Sequence, residues 1–155
     1  MLGTDDLRAF IQAHSIRAQI VYPQFATPTV PAAAAAMGVE PEAIIKSVLF
    51  VVNDEPLLVI SNGERRIAQG AIARRLGVGK KQVKIATPEQ VLAWTGYPAG
   101  GVPPFGHPTR LRTWVDPAVL ERETVYGGGG AESTLMCVHT ADLLGPHAEA
   151  VSVCD

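Results

Sequence analysis

The stretch that most restricts this chain runs from Gly96 to Gly106, Gly-Tyr-Pro-Ala-Gly-Gly-Val-Pro-Pro-Phe-Gly. Gly96, Gly100, Gly101 and Gly106 permit positive φ and close approach to the main chain, while Pro98, Pro103 and Pro104 remove the alternatives. Such a segment is a loop that presents peptide groups rather than side chains. Composition leaves two roles open for it: a preformed cradle for a ligand, or a plain connection.

The elements around the loop predict its setting. Thr4 reads as an N-cap, with Asp5 and Asp6 in the first turn of a helix that carries Leu7, Phe10, Ile11 and Ile16 on one stripe. Arg17–Tyr22 reads as a short strand, and Thr29 caps a helix through Ala32–Ala36 that stops at Gly38. After a short helix from Pro41, the apolar runs Ile45–Val52 and Leu57–Ser61 form a hairpin through Asn53-Asp54-Glu55-Pro56. Ala68–Leu76 is helical despite Gly70, and Gln82–Ile85 is a strand. Thr87-Pro88-Glu89 opens a helix that Gly96 ends. Strands are expected at Leu111–Val115, Glu123–Tyr126, Thr134–Val138 and Ala150–Val153, with a small helix from Thr140. The irregular interleaving predicts a single α+β domain over residues 1–155, built on one curved, barrel-like mixed sheet with flanking helices.

With 155 residues and 47% hydrophobic composition, the chain has enough apolar material for one core. The run Val48–Val52 is too short for a bilayer, and Met1-Leu-Gly-Thr-Asp-Asp lacks the regions of a secretory signal, so a cytoplasmic protein is expected. Cys137 and Cys154 have no metal-site spacing, and neither metal nor cofactor is expected. His14, His107, His139 and His147 are scattered and read as structural or exposed, and Asp116 before Pro117 as a turn or cap acid. No GxSxG, HExxH or GxxxxGK[ST] motif is present.

The net charge of −2 gives no sign of nucleic-acid binding, and its distribution says more. Arg65, Arg66, Arg74, Arg75, Lys80, Lys81 and Lys84 stand against Glu64 alone, a basic block that could attract phosphate or simply cover a solvated helix. Lys46 stands where the turn after Pro41 feeds an apolar strand. An ammonium bordering a core there calls for an anionic partner, unless it snorkels at the strand edge.

In order along the chain, Pro41-Glu-Ala-Ile-Ile-Lys-Ser-Val-Leu, Ala71-Ile-Ala-Arg-Arg-Leu-Gly, the Thr95–Gly106 segment and Val125-Tyr-Gly-Gly-Gly-Gly resemble the YbaK/ProX family of aminoacyl-tRNA editing domains. The likeness runs from about Thr4 to Val151, and the lysine and the GxxxGGxxP segment together are its specific part. It implies a free-standing deacylase that hydrolyses the ester of a wrong amino acid on tRNA, similar to the insertion domain of bacterial prolyl-tRNA synthetases. A non-catalytic module of the same fold, binding an aminoacyl-adenosine-like ligand or a protein, is the alternative.

By that resemblance Lys46 matches the family's essential lysine, Ser47 a small polar pocket residue, and Tyr22 and Thr29 the segment lining the pocket. Gly100, Gly101 and Val102 match the backbone that holds the scissile carbonyl, and Gly129 and Gly130 the opposite wall. Arg65, Arg66, Arg74, Arg75, Lys80 and Lys81 are the expected contacts to the tRNA acceptor end, and a synthetase is a candidate partner. Where some members carry an aspartate beyond the glycine pair, this chain has Leu135, so specificity among cysteine, alanine, serine and other small amino acids stays open.

The expected chemistry follows from the loop. Ester hydrolysis passes through a tetrahedral oxyanion, which N–H groups of Gly100 and Gly101 can meet without a catalytic side chain. Lys46 would hold the 3′-terminal phosphate or ribose against them, with water or a substrate hydroxyl as nucleophile or base.

Overall fold

The computed structural model describes residues 1–154. Helix α1 (Thr4–Ala13) leads to β1 (Ala18–Val21) and α2 (Val30–Met37), then a 3-10 turn at Pro41–Ala43 feeds the hairpin β2 (Ile45–Val52) and β3 (Glu55–Asn62). Asn53 and Asp54 have φ of 49° and 65°, the left-handed pair that lets a two-residue turn match the twist of its strands. Helix α3 (Gln69–Leu76), β4 (Val83–Ile85) and α4 (Pro88–Thr95) follow. Gly38, Gly77 and Gly96 terminate α2, α3 and α4 in the left-handed conformation, where a Cβ would be strained. Beyond the Gly/Pro loop come β5 (Arg112–Val115), β6 (Thr124–Gly128), β7 (Leu135–His139) and β8 (Ala148–Ala150).

The α+β class stands, but the strands divide between two sheets and do not close into a barrel. One sheet has the order β4-β2-β3-β5-β8, antiparallel from β4 to β3 and parallel from β3 to β8. The other is the antiparallel set β1-β7-β6. They touch through one parallel bridge, Ile44 to Tyr126. The ladder goes no further because the chain turns at the glycines, where Gly129 N–H bonds back to Thr134 O and Gly130 N–H reaches Gly101 O.

Burial explains why the hairpin is central. Leu57, Leu58, Val59 and Ile60 are each at most 3% exposed, so β3 packs on both faces, and each such side chain contributes about 1.5–3 kcal/mol. Alternation along β2 assigns its neighbours to different layers. Ile45 joins Leu7, Tyr97 and Val125, and Leu49 joins Leu58 and Leu111, whereas Phe50 and Val52 pack under α3 against Ile72 and Trp114.

Two local expectations are corrected. Gly3, not Thr4, is the N-cap of α1, and its N–H donates to Asp6 Oδ2 at 2.8 Å. Thr4 is thereby free to donate its hydroxyl to Gly129 O at 2.9 Å. The last strand is Ala148–Ala150 rather than Ala150–Val153. Val151 and Val153 fill the core under α3, but the main chain there acts as a clasp: Val151 N–H donates to Val115 O, Val153 O accepts from Ala68 N–H, and Val153 N–H donates to Asp116 Oδ2. Among the described residues no helix is long and apolar enough to cross a membrane.

Candidate active site and basic groove

The two glycine segments, nearly thirty residues apart in sequence, are pressed together. A Cβ built on Gly101 would lie 2.9 Å from the Ala131 backbone, and one on Gly128 would lie 2.2 Å from Val102 O. Only glycine allows main chains to meet this closely. Gly130 N–H donates to Gly101 O at 2.9 Å, and Thr4 ties Gly129 to α1. Gly127 and Gly128 belong to β6 itself, so the glycine-rich wall begins within the strand and ends in the turn.

The donors differ from the expected pair. Gly101 N–H is committed to Pro98 O at 2.9 Å. The N–H groups of Gly100 and Val102 carry no hydrogen bond among the described residues. Gly100 is exposed with φ of 95°, and a Cβ there would meet open space. The open face of the loop is therefore at Gly100, flanked by two unpaired peptide donors.

One contact ties the segment of expected pocket residues to the turn that ends this wall. Thr27 N–H donates to Ser133 Oγ at 3.1 Å, docking the Tyr22–Thr29 segment on the turn after Gly130. Tyr22, 63% exposed, accepts a hydrogen bond from Arg8. Thr29 Oγ1 accepts from Ala32 N–H, so its observed contact is the cap of α2. Phe25, 53% exposed on the same segment, was not singled out in the sequence. Leu135 is buried with Ala33, Ala34 and Ile44, an apolar setting that explains why no acid stands there. Ser47 lies between Ile45 and Leu49 on β2, the face where Val102 packs.

Lys46 lies on the other face. With Val48 and Phe50 it lines a groove of about 620 Å³ whose far wall is the start of α3. Arg66, Arg74 and Lys80 also line this groove, and among the described residues no carboxylate does. The glycine walls contribute nothing to it. A Cβ on Gly70 would sit 3.5 Å from Arg74 Nη1, an ordinary contact, so the guanidinium lies back over the first turn of α3. That turn has no side-chain cap, and its free N–H groups add the positive end of the helix dipole to the four cations.

The basic block is thus split. Arg65 turns away into an ion pair with Asp116, Nη1 to Oδ1 2.6 Å, and Arg75 and Lys81 are exposed outside the groove. Asp116 is nearly buried. Desolvation would raise its pKa, but hydrogen bonds from Arg65, Ala118 N–H and Val153 N–H together hold it below the usual carboxylate range. Its expected capping role is observed, with Ala118 N–H at 3.0 Å.

A second depression, about 630 Å³, lies beyond the loop and is lined by Phe10, Phe105, His107 and His147 among others. Among the described residues no group of three or more His, Cys, Asp or Glu side chains is placed to hold a metal.

Known proteins resemble this chain in sequence and in fold. The model of the family described as "Aminoacyl-tRNA editing domain" matches residues 26–145. A proline–tRNA ligase of Nitratidesulfovibrio vulgaris (strain DP4) is 36% identical over 78 residues, 50% of this chain and 13% of that protein. That of Solidesulfovibrio magneticus is 31% identical over 136 residues, 85% of this chain and 22% of the relative. The chain therefore spans only a small part of these ligases. A crystal structure described as a candidate trans-editing enzyme for prolyl tRNA synthetase superposes with a TM-score of 0.87 at 29% identity, covering 98% of this chain and 96% of the other.

Proposed function

The chain belongs to the aminoacyl-tRNA editing domain family, and from that premise we propose that it hydrolyses the ester linking a wrong, small amino acid to the 3′ end of a tRNA. The observation that carries this reading is the open main chain at Gly100, with the unpaired N–H groups of Gly100 and Val102 beside it. Donors fixed in advance and aimed at a developing oxyanion lower the barrier without reorganising, and losing one such donor typically costs about 10²–10³-fold in kcat. Water, deprotonated with the help of a substrate hydroxyl, attacks the ester carbonyl, and the proton passes to the departing tRNA oxygen. The negative charge that forms on the carbonyl oxygen falls to these N–H groups, and collapse releases the amino acid and the tRNA hydroxyl.

The basic groove of Lys46, Arg66, Arg74 and Lys80 supplies the complementary half, a seat for acceptor-end phosphates. On this reading the chain acts as one cytoplasmic editing domain, and a prolyl-tRNA synthetase is its natural partner because it would supply the mischarged tRNA.

Release of free amino acid from a panel of charged tRNAs, starting with tRNA(Pro) carrying alanine, cysteine or serine, tests the assignment. Catalytic turnover on at least one small amino acid, with correctly charged prolyl-tRNA spared, is expected. Stoichiometric binding without turnover across the panel refutes it and leaves a non-catalytic binding module.

A further inference from the structure

The Gly/Pro loop has a defect that its own backbone cannot repair. Pro103 and Pro104 carry no N–H, so the main chain immediately after Val102 has no donor with which to close a turn. The loop is anchored upstream: Thr95 Oγ1 donates to Val91 O at 2.7 Å and accepts from Tyr97 N–H at 3.1 Å. Downstream, His107 Nε2 lies 2.9 Å from Pro103 O. A carbonyl can only accept, so Nε2 bears the proton. The ring is held in turn by Tyr97, which is fully buried and meets it edge-on with centroids 6.5 Å apart and planes at 81°.

We propose that His107 is a positioning residue for the glycine loop: its Nε2–H closes the turn that Pro103-Pro104 leaves open and so fixes the aim of the Gly100 and Val102 N–H groups. The inference rests on the deacylase reading for its catalytic consequence, but its structural content stands without it. Val102 is joined directly to Pro103, and Gly101 is bonded to Pro98 and Gly130, so slack at Pro103 passes to both walls at once. The bond does not depend on ring charge, because Nε2 keeps its proton whether or not Nδ1 is protonated. Burial lowers the pKa of His107, so the neutral ring is the working form.

The test compares His107→Gln, whose amide can donate in the same place, with His107→Phe, which fills the space and cannot. In His107→Phe, exchange of the Gly101 and Gly130 amides should quicken by about tenfold or more while Val59 in β3 is unchanged. With mischarged tRNA, kcat should fall by about tenfold or more at a KM within about twofold, because aim rather than binding is lost. His107→Gln should recover most of both. Unchanged exchange in His107→Phe, or a glutamine variant as poor as the phenylalanine one, overturns the proposal. A wild-type ring found protonated at Nδ1 alone by nitrogen NMR does the same without any variant. A wild type inactive on every charged tRNA sinks the deacylase reading and leaves the exchange comparison standing.

Discussion

Arg74 and Arg75 are adjacent on α3, equally basic and both exposed, yet only Arg74 lines the groove. Replacing each by alanine isolates the groove from net charge, since both variants lose one unit. Four groove cations that each neutralise a phosphate of a single strand give log K a slope of about −2.8 against log salt, at about −0.7 per contact. Between 50 and 200 mM salt, affinity should then drop about 50-fold. Arg74→Ala removes one contact, brings the slope to about −2.1 and reduces the drop to about 20-fold. Arg75→Ala should keep the wild-type slope. Fluorescence anisotropy of a labelled, uncharged acceptor-stem RNA across a salt series measures this directly. Equal slopes for the two variants would mean that the RNA responds to overall charge, and the groove would lose its role.

The glycine walls and the C-terminal clasp carry two further expectations. Gly101→Ala forces a Cβ to within 2.9 Å of the Ala131 backbone, which should cost about 1–3 kcal/mol and lower Tm by about 2–4 °C for each kcal/mol. Gly145→Ala, where a Cβ meets nothing within 4 Å, is the control, and equal melting of the two in a thermal scan contradicts the close approach. Asp116 has a folded-state pKa below its ordinary value, so the stability it contributes is present above the usual carboxylate range and is lost as pH falls through the lower folded value. Urea midpoints should decline with acid in the wild type and decline less in Asp116→Asn, while a parallel decline denies the carboxylate that role.

Local chemistry was the legible part of this fold. Caps at Thr29 and Thr87, stops at Gly38, Gly77 and Gly96, and the β2–β3 hairpin all follow from residues within a few positions of one another. Pairings across long separations were not legible: nothing near Arg112 or Ala148 says that β5 joins β3, and β8 joins β5, in parallel. The tail misled because Val151 and Val153 have the apolar alternation of a strand while their main chain serves Val115, Ala68 and Asp116 instead. At the site, the Gly96–Gly106 segment was readable from composition and the Gly129–Gly130 wall from the family resemblance, but the capture of Gly101 N–H by Pro98 was not, because it depends on how the loop folds. His107 was passed over as one scattered histidine. The signal that marks it is the Pro-Pro pair four and three residues earlier, which leaves a stretch of chain without donors.

Strand alternation also changes what Lys46 can do. It and Ser47 are neighbours, yet one faces the groove and the other the side on which Val102 packs. The two faces communicate around an edge. β4 pairs only with Phe50–Val52 of β2, and the one bridge from β6 to this edge is at Ile44, so Lys46–Val48 has no strand partner on that side among the described residues. At about 3.3 Å per residue this unpaired edge is about 10 Å long, and on the proposed function it is where a single strand would pass from the groove to the glycine walls. On that reading, Lys46 would hold phosphate on one side while the ester reacts on the other. Lys46→Ala should raise KM for mischarged tRNA and leave hydrolysis of an aminoacyl-adenosine ester, which has no phosphate to hold, at the wild-type rate. If both substrates lose rate equally, Lys46 reaches the ester itself, and the division of labour across β2 is wrong.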